Sequence, residues 1–431
     1  MRRIEAAPPF AELRARLRAE STEDAGFRDA VAEIVRAVAE RGDAALLEYT
    51  RRFDRLAAGS AAELRVGAAE LQAAREAIPA ELRASLERAA ANIRAFHEKQ
   101  AERGFLDVAP DGTLLGQRVA PLRRVGVYVP GGRAAYPSSV LMNVLPAAVA
   151  GVDEIAMVSP APAGEMNPAV LAAAAIAGVT EVYRVGGAQA VAALAYGTGS
   201  IAPVDKIVGP GNRWVAEAKR QVFGRVDIDM VAGPSEVLVI ADAHADARHV
   251  AADLIAQAEH DPDAIAWLVT PSRELADAVP AALEVLLAAN PRREVARAAL
   301  ERNGLTVLVP DLVAAVEASN LRAPEHLELL VEQPLALLGG LRNAGAIFLG
   351  RWTPEPLGDY FAGPNHVLPT GGTARWASPL GVHDFVKRTS LIGYSAERLQ
   401  AHAADVIRLA EAEGLHGHAE AVRVRLDSPN R

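Results

Sequence analysis

Short β-branched segments alternate with helical segments along the chain from residue 125 to residue 348. Such alternation predicts βαβ units, in which parallel strands are joined by helices that cover both faces of the sheet. In the first block we expect strands at 125–129, 154–158, 181–185, 206–208, 226–230 and 236–240, with helices at 139–150, 168–177, 188–196 and 213–223.

A second alternating block follows, and helical patterns flank the two blocks on both sides. The second block has helices at 244–259, 272–289 and 312–320, with strands at 266–269, 305–309, 328–331 and 346–348. Residues 1–105 are predicted to be mainly helical, and a helical tail is predicted at 379–385, 396–413 and 418–426. The expected fold class is therefore α/β, with two Rossmann-like parallel-sheet units. The later of these two parallel-sheet units could share its sheet with the early helical region.

The charge of the chain argues against several kinds of partner. The formal net charge is −9 and the pI is about 5.7, so a nucleic acid or an anionic membrane is not expected as the main partner. The basic N-terminus lacks the apolar run of a signal peptide. The longest apolar run, 169–179, is shorter than the ~20 residues of a membrane span. We expect a soluble cytoplasmic protein.

The chain contains no cysteine. Thiolate zinc ligands and disulfides are thereby excluded. A cysteine nucleophile, with which many enzymes oxidise aldehydes, is excluded as well. If this protein oxidises an aldehyde, it must do so by activating water.

Two pairs of polar residues are candidates for chemistry. Gln257 and His260 are three residues apart near the end of a predicted helix, so both could reach one metal ion; a solvated helix end is the alternative. Glu325 and His326 follow Pro324 in a predicted turn, where a carboxylate and an imidazole could both reach a small substrate. Neither pair is specific by itself.

Four further polar residues lie in irregular or terminal segments. Asp359 and His366 belong to a loop rich in glycine and proline, which is either a site or a tight surface loop. Glu413 and His418 lie within six residues of each other near the C-terminus, where a solvated tail is the alternative.

Glycine-rich turns at 129–132, 185–189 and 208–212 each follow a predicted strand. The last two also precede a predicted helix, the position at which backbone N–H groups and a helix N-terminus meet a phosphate. None of them matches G-x-G-x-x-G, so the usual dinucleotide fingerprint is absent.

Taken together and in this order, the motifs resemble the histidinol dehydrogenase family from about residue 20 to the last helix. The stretches that carry the resemblance are VYVPGGRAAYPS at 127–138, GGAQA at 186–190, VGPGN at 208–212, DMVAGPSE at 229–236, AQAEH at 256–260, APEH at 323–326, LGDY at 357–360, GPNH at 363–366 and EGLHGH at 413–418.

The resemblance implies an aldehyde-dehydrogenase-like arrangement in four parts. These are an N-terminal helical segment at 1–20, a main α/β domain at 21–125 and 238–378 with the zinc and catalytic residues, a second α/β domain at 126–237 with the NAD turns, and a tail at 379–431. The tail is expected to cross over in a homodimer and to complete the neighbour's site.

The resemblance also implies the chemistry, an oxidation of L-histidinol to L-histidine through histidinal with two NAD. Glu325 and His326 are the implied catalytic residues. The implied zinc ligands are Gln257, His260, Asp359 and His418; the implied NAD-binding residues are Tyr128, Gln189 and Asn212. The implied substrate pocket contains Ser235, Gln257, His260, His326, Asp359, His366, Glu413 and His418.

Two other functions use the same residues. A zinc hydrolase would employ the histidines and carboxylates with a metal-activated water, but would not need the glycine-rich turns. A metal- or nucleotide-binding protein without catalytic activity would leave the Glu325–His326 pair without a role.

Overall fold

The computed structural model describes residues 1–18, 25–131 and 135–427. Its contacts divide the chain into two units, the first made of residues 1–100 and 122–385 and the second of residues 101–121 and 386–431. Residues 132–134, which include the end of the first glycine-rich turn, lie outside the described residues, as do 19–24 between the expected N-terminal segment and main domain.

The first unit contains two six-stranded sheets. Sheet I is parallel throughout and has the strand order β1-β12-β11-β10-β13-β14. Its strands are β1 Arg2–Glu5, β10 Glu236–Ala241, β11 Ile265–Thr270, β12 Leu305–Leu308, β13 His326–Leu330 and β14 Ala346–Leu349.

Sheet II has the order β2-β7-β6-β5-β8-β9, and β2 alone is antiparallel to its neighbour among the pairings described. Its strands are β2 Arg65–Val66, β5 Arg124–Tyr128, β6 Glu154–Ser159, β7 Glu181–Arg184, β8 Lys206–Val208 and β9 Asp227–Ile228.

Helices cover both sheets of the first unit. They are α1 Ala11–Arg18, α2 Ala25–Arg41, α3 Asp43–Phe53, α4 Ala68–Ala77, α5 Ala80–Glu98, α6 Pro137–Ala150, α7 Pro168–Ala177, α8 Gly187–Tyr196, α9 Arg213–Val222, α10 Ala247–Ala258, α11 Arg273–Ala289, α12 Arg293–Arg302, α13 Leu312–Arg322, α14 Pro334–Leu337 and α15 Glu355–Tyr360.

Alternate strand residues supply the apolar core on each face of a sheet. On β10, Val237 and Val239 pack with α10, α11 and α12, whereas Leu238 and Ile240 pack with α1 and α13. Sheet II is covered by α4 to α7 on one face and by α2, α3, α8 and α9 on the other. Burial of both faces explains why central strands such as β6, β10 and β11 are mainly apolar. The predicted α/β class is confirmed.

The prediction of helix at the extreme N-terminus is wrong for residues 2–5. This segment is strand β1, which pairs in parallel with β12 and buries Ile4. Its partner lies about three hundred residues away in sequence, and four residues are too few for local periodicity to distinguish strand from helix. Sheet I therefore does recruit the early region.

The second unit is a three-stranded antiparallel sheet with two helices. The sheet has the order β15-β4-β3 and consists of β3 Phe105–Val108, β4 Leu114–Pro121 and β15 Val386–Gly393. The helices are α16 Ala396–Ala412 and α17 His416–Leu426, which confirm the helical tail. The helix expected at 379–385 is instead a short 3-10 turn at Val382–Phe385 that leads into β15, because β4 offers a partner for an extended chain.

The four-part domain division stays a prediction.

Among the described residues, none of the helices has both the length and the apolar character that crossing a bilayer requires.

Gly209, in the turn after β8, lies very close to the backbone of the neighbouring strand β5. Its φ is +109°, and a Cβ there would overlap the carbonyl oxygen of Tyr128. Gly224 has a similar φ of +99° with nothing within 4 Å of the Cβ position. The two glycines therefore separate backbone strain from steric overlap.

We expect Gly209→Ala to lower the free energy of unfolding by more than Gly224→Ala does. Backbone strain alone costs about 1–3 kcal/mol at such a φ, and overlap adds to it only at residue 209. Urea denaturation of both variants measures the difference. Equal losses would show that the turn moves freely away from Tyr128.

Candidate functional site

Several buried ionisable residues of the first unit lie at the amino-terminal edge of sheet I. Glu236 is the first residue of β10 and His326 the first of β13, and the two strands are adjacent, with Val237 opposite His326. Helix α10 returns to the same edge, which brings Gln257 to it. Parallel sheets usually bind ligands at the opposite, carboxyl-terminal edge.

His326 is buried and its two ring nitrogens have different surroundings. Nδ1 lies 3.1 Å from the carbonyl oxygen of Glu236. A carbonyl only accepts hydrogen bonds, so Nδ1 carries the proton and Nε2 keeps its lone pair. Within the described part of the chain Nε2 has no hydrogen-bond partner and lies 3.8 Å from Asp359 Oδ1. Burial lowers the pKa of His326, so the neutral, proton-accepting form is favoured.

Glu325 stands beside this imidazole, with its Oε2 3.7 Å from His326 Nδ1. The same oxygen accepts a 2.8 Å hydrogen bond from the backbone N–H of Glu236. Burial, followed by the nearby carboxylates of Glu236 and Asp359, raises the pKa of Glu325 well above its usual range. A carboxylate whose pKa is raised in this way is a stronger base once it is ionised.

Glu236 and Arg322 form a buried ion pair beneath Glu325 and His326. Arg322 Nε donates to Glu236 Oε2 at 2.6 Å, and the other oxygen of Glu236 accepts the N–H of Gly371 at 2.8 Å. The Glu236 main chain holds Glu325 through its N–H and His326 through its carbonyl. The pair therefore fixes the strand end on which both side chains depend.

Three more buried carboxyl groups lie behind His326. Glu328 follows two residues later on the same face of β13, and Asp253 on α10 forms a carboxyl–carboxylate hydrogen bond with it. Burial, followed by the charge of Asp253, raises the pKa of Glu328. The two carboxyl groups therefore share a proton. Glu328 Oε1 also accepts the backbone N–H of Glu355 at 2.7 Å. One acidic network thus connects α10, β13 and α15.

Glu355 connects this network to Gln257. With its amide turned so that both groups are satisfied, Gln257 donates to Glu355 Oε1 at 3.0 Å. This orientation turns the amide oxygen, the atom with which glutamine binds metals, away from Glu355. Glu355 Oε1 also lies 3.8 Å from His326 Nδ1.

Three predicted residues lie around this network. Asp359 is on α15, and its carbonyl oxygen is 3.0 Å from Nδ1 of His366. His260 follows α10, is exposed, and has Nδ1 2.9 Å from the carbonyl of Ala256. Ser235 is half-buried directly before β10. The segment 355–360, expected to be a loop, is the short helix α15.

Within the described residues, one group of histidine and acidic side chains is close enough to hold a metal ion as it stands. Ligand atoms of His326, Glu355 and Asp359 lie within 4.8 Å of one another. Among the predicted zinc ligands, only Asp359 belongs to this group.

A cavity of about 390 Å³ opens onto the cluster. It is lined mainly by apolar side chains, with a few polar groups that converge on it. Residues of this lining include Phe96, His326, Phe348, Asp359, His366 and His383.

The predicted NAD-binding residues gather at the carboxyl-terminal edge of sheet II. Tyr128 ends β5, and its hydroxyl accepts the N–H of Gly187 at 3.0 Å. Asn212 caps α9 by accepting the N–H of Trp214 at 3.0 Å. Gln189 is buried on α8, and neither polar atom of its amide has a partner among the described residues. The chain order reverses between β5 and β8, where parallel sheets bind nucleotides.

Glu413 and His418 lie in the second unit. Glu413 ends α16 and His418 is in the first turn of α17, and both are exposed.

Motif reading of the sequence missed five buried residues of the site, namely Glu236, Arg322, Glu328, Glu355 and Asp253. Their spacing held a signal, because Glu328 is two residues after His326 on a strand and Asp253 is four residues before Gln257 on a helix.

Comparison with known proteins gives a consistent result. A family model described as histidinol dehydrogenase matches residues 17–426. The histidinol dehydrogenase of Chromobacterium violaceum is 56% identical over 421 residues, 97% of each chain. That of Aromatoleum aromaticum is 54% identical over 428 residues, 99% of this chain and 98% of its own.

Solved structures agree. The crystal structure of histidinol dehydrogenase from Elizabethkingia anophelis has a TM-score of 0.93 and 35% identity, covering 100% of this chain and 99% of that one. An acetylating aldehyde dehydrogenase from Geobacillus thermoglucosidasius has a TM-score of 0.50 and 13% identity over 89% of this chain and 94% of its own, and shares the fold alone.

The proton held between Asp253 and Glu328 predicts a pH dependence of stability. Unfolding releases this proton above the ordinary glutamate pKa of 4.5, so stability falls as pH rises from there through the raised pKa. Glu328→Gln replaces the shared proton with an amide. We expect its stability relative to wild type to grow by up to about 1.4 kcal/mol per pH unit across this window, measured by urea denaturation.

Glu332→Gln is the matched control, because it removes the same charge from an exposed position. The stability of Glu332→Gln relative to wild type should not change with pH across this window. If the relative stability of Glu328→Gln does not change with pH, the shared proton is refuted.

Proposed function

The chain belongs to the histidinol dehydrogenase family, and we propose that it is a zinc-dependent enzyme that oxidises L-histidinol through histidinal to L-histidine with two NAD. Family membership makes it an oxidoreductase of histidine biosynthesis. The observation that carries the proposal is the buried, neutral His326. It lines the cavity, its Nε2 has no hydrogen-bond partner among the described residues, and its Nδ1 lies 3.7 Å from Glu325 Oε2.

The residues present fit a zinc ion held by Gln257, His260, Asp359 and His418. Histidine nitrogens and carboxylate oxygens are usual zinc ligands, and the amide of Gln257 adds one more oxygen donor. His260 Nδ1–H donates a hydrogen bond to the Ala256 carbonyl, which leaves Nε2 free to bind a metal. Zinc-bound imidazoles normally make such a second contact. The orientation of Gln257 toward Glu355 likewise keeps its amide oxygen for a metal.

The turns of sheet II fit a dinucleotide. The buried amide of Gln189 has no partner among the described residues, so a ligand would satisfy it. Gly209 lets the chain approach Tyr128 where a Cβ would not fit. With Asn212 at the start of α9, these are the groups that we assign to NAD.

When bound, NAD would supply the hydride acceptor for each oxidation, and zinc would supply a Lewis-acid contact that holds the substrate. His326 takes the hydroxyl proton in the first oxidation through its free Nε2. His366, with Nδ1 held at the Asp359 carbonyl, and Ser235 are assigned to substrate positioning.

The second oxidation needs water, since the chain has no cysteine to capture the aldehyde. We assign activation of this water to Glu325. The hydrogen bond from the Glu236 N–H keeps one oxygen of Glu325 in place, and the other oxygen is available to take the proton of water. After releasing the first proton to solvent, His326 accepts the hydroxyl proton of the hydrated aldehyde.

We further propose a cytoplasmic homodimer in which Glu413 and His418 complete the neighbour's site. Both side chains are exposed on the second unit. The four-part domain division proposed from the sequence goes with this arrangement.

The reaction is tested by NADH formation from histidinol. We expect the activity to disappear with EDTA and to return with zinc. His326→Asn should lower the rate by roughly 10²–10⁴-fold, because a general base is lost, while the zinc content measured by atomic absorption stays unchanged. Loss of zinc together with activity would show that His326 is a ligand rather than the base.

Glu325→Gln is the companion variant. It should slow oxidation of added histidinal more than oxidation of histidinol to the aldehyde level, since only the former consumes water. An equal loss in both half-reactions would reject Glu325 as the water-activating group.

Crossover of the tail is tested by mixing two inactive variants. If the tails cross, His418→Ala inactivates only the partner's site, which its tail enters. His326→Ala inactivates only the site of the chain that carries it. A heterodimer with crossed tails has one complete site and about half of the wild-type activity. Reassociated heterodimers no more active than either parent would contradict crossover.

A further inference from the structure

A second cavity, of about 230 Å³, lies next to the Glu236–Arg322 pair. Three of its lining residues are Arg14, Arg322 and Arg375, and none of the described lining residues is acidic. Three guanidinium groups around one cavity are unexpected in a chain whose net charge is −9.

Arg14 and Arg375 are not neutralised by carboxylates within the described ranges. Arg14 Nε donates to the Pro9 carbonyl at 2.9 Å. Arg375 donates to the carbonyl of Gly372 at 2.7 Å and to that of Leu321. A guanidinium has five N–H donors, so both side chains keep donors for a ligand.

Arg322 gives the cavity a fixed wall. It is 3% exposed, is paired with Glu236, and lies 5.0 Å above the ring of Trp267. Gly371 and Gly372 have φ values of +63° and +78°, and a Cβ on Gly372 would collide with the Arg375 guanidinium. In this loop Gly372 therefore packs directly against the Arg375 side chain.

We propose that this cavity binds a small oxyanion, namely a phosphate group. Guanidinium groups match phosphate oxygens with paired hydrogen bonds, and such charge-assisted bonds are the strong ones. The anion would contact Arg322, whose partner Glu236 holds Glu325 and His326 through its main chain. The site is separate from the substrate cavity and does not depend on the proposed reaction.

Binding is measured without histidinol or NAD, by titration calorimetry and thermal unfolding of the full chain. The probes are inorganic phosphate and glycerol 3-phosphate, compared with chloride at equal ionic strength. The test variant is Arg14→Gln/Arg375→Gln. Arg36→Gln/Arg94→Gln is the matched control, because it removes the same charge from exposed helix positions of the first unit.

We expect saturable binding of phosphate to wild type and to the control, and a Kd raised about tenfold or more in the test variant. Tighter binding of glycerol 3-phosphate would identify a phosphate ester as the ligand, and tighter binding of inorganic phosphate would identify the free ion. If the double variant is unfolded by circular dichroism, the exposed Arg14→Gln alone replaces it. No binding beyond chloride, or equal binding by wild type and the test variant, would overturn the proposal.

Discussion

The buried ion pair between Glu236 and Arg322 is the interaction on which the candidate site depends. A buried carboxylate is stable only with a charge partner and satisfied hydrogen bonds, and Glu236 has both, from Arg322 and from the Gly371 N–H. Because its side chain is fixed, its main-chain N–H and carbonyl hold Glu325 and His326 in place. The hydrogen bond to this carbonyl also determines which nitrogen of His326 accepts a proton. The ion pair thus fixes the strand end whose carbonyl selects the tautomer of His326.

The first unit places its two groups of polar residues on different sheets. The acidic network and the histidines lie at the amino-terminal edge of sheet I, and the glycine-rich turns lie at the carboxyl-terminal edge of sheet II. The loop after α15 connects the layers, because Asn365 donates to the Met142 carbonyl of α6 at 2.6 Å and Asn92 of α5 donates to Phe361 at 2.9 Å. The loop that follows Asp359 and carries His366 is therefore supported by helices that cover the other sheet.

Local sequence patterns predicted the alternating part of the fold well, since strand 206–208 and helix 168–177 have the predicted bounds. Strands β1, β3, β4 and β15 were missed because each is defined by a partner that periodicity does not reveal. Motifs likewise pointed to His326 and Asp359. They did not point to Arg322, whose role comes from contact with a residue 86 positions away in sequence. Composition and spacing therefore identify reactive groups, whereas their buried supports become visible only when the elements are packed.

We propose that His326 is the base and that zinc is bound by Gln257, His260, Asp359 and a neighbour's His418. The structure also brings His326, Glu355 and Asp359 within 4.8 Å, a competing set of ligands. Anomalous diffraction at the zinc edge, from crystals grown with zinc and histidinol, distinguishes the two. We expect a single zinc peak beside Gln257 and His260, with His326 Nε2 directed at the substrate hydroxyl. A peak bonded to His326 and Glu355 would contradict it.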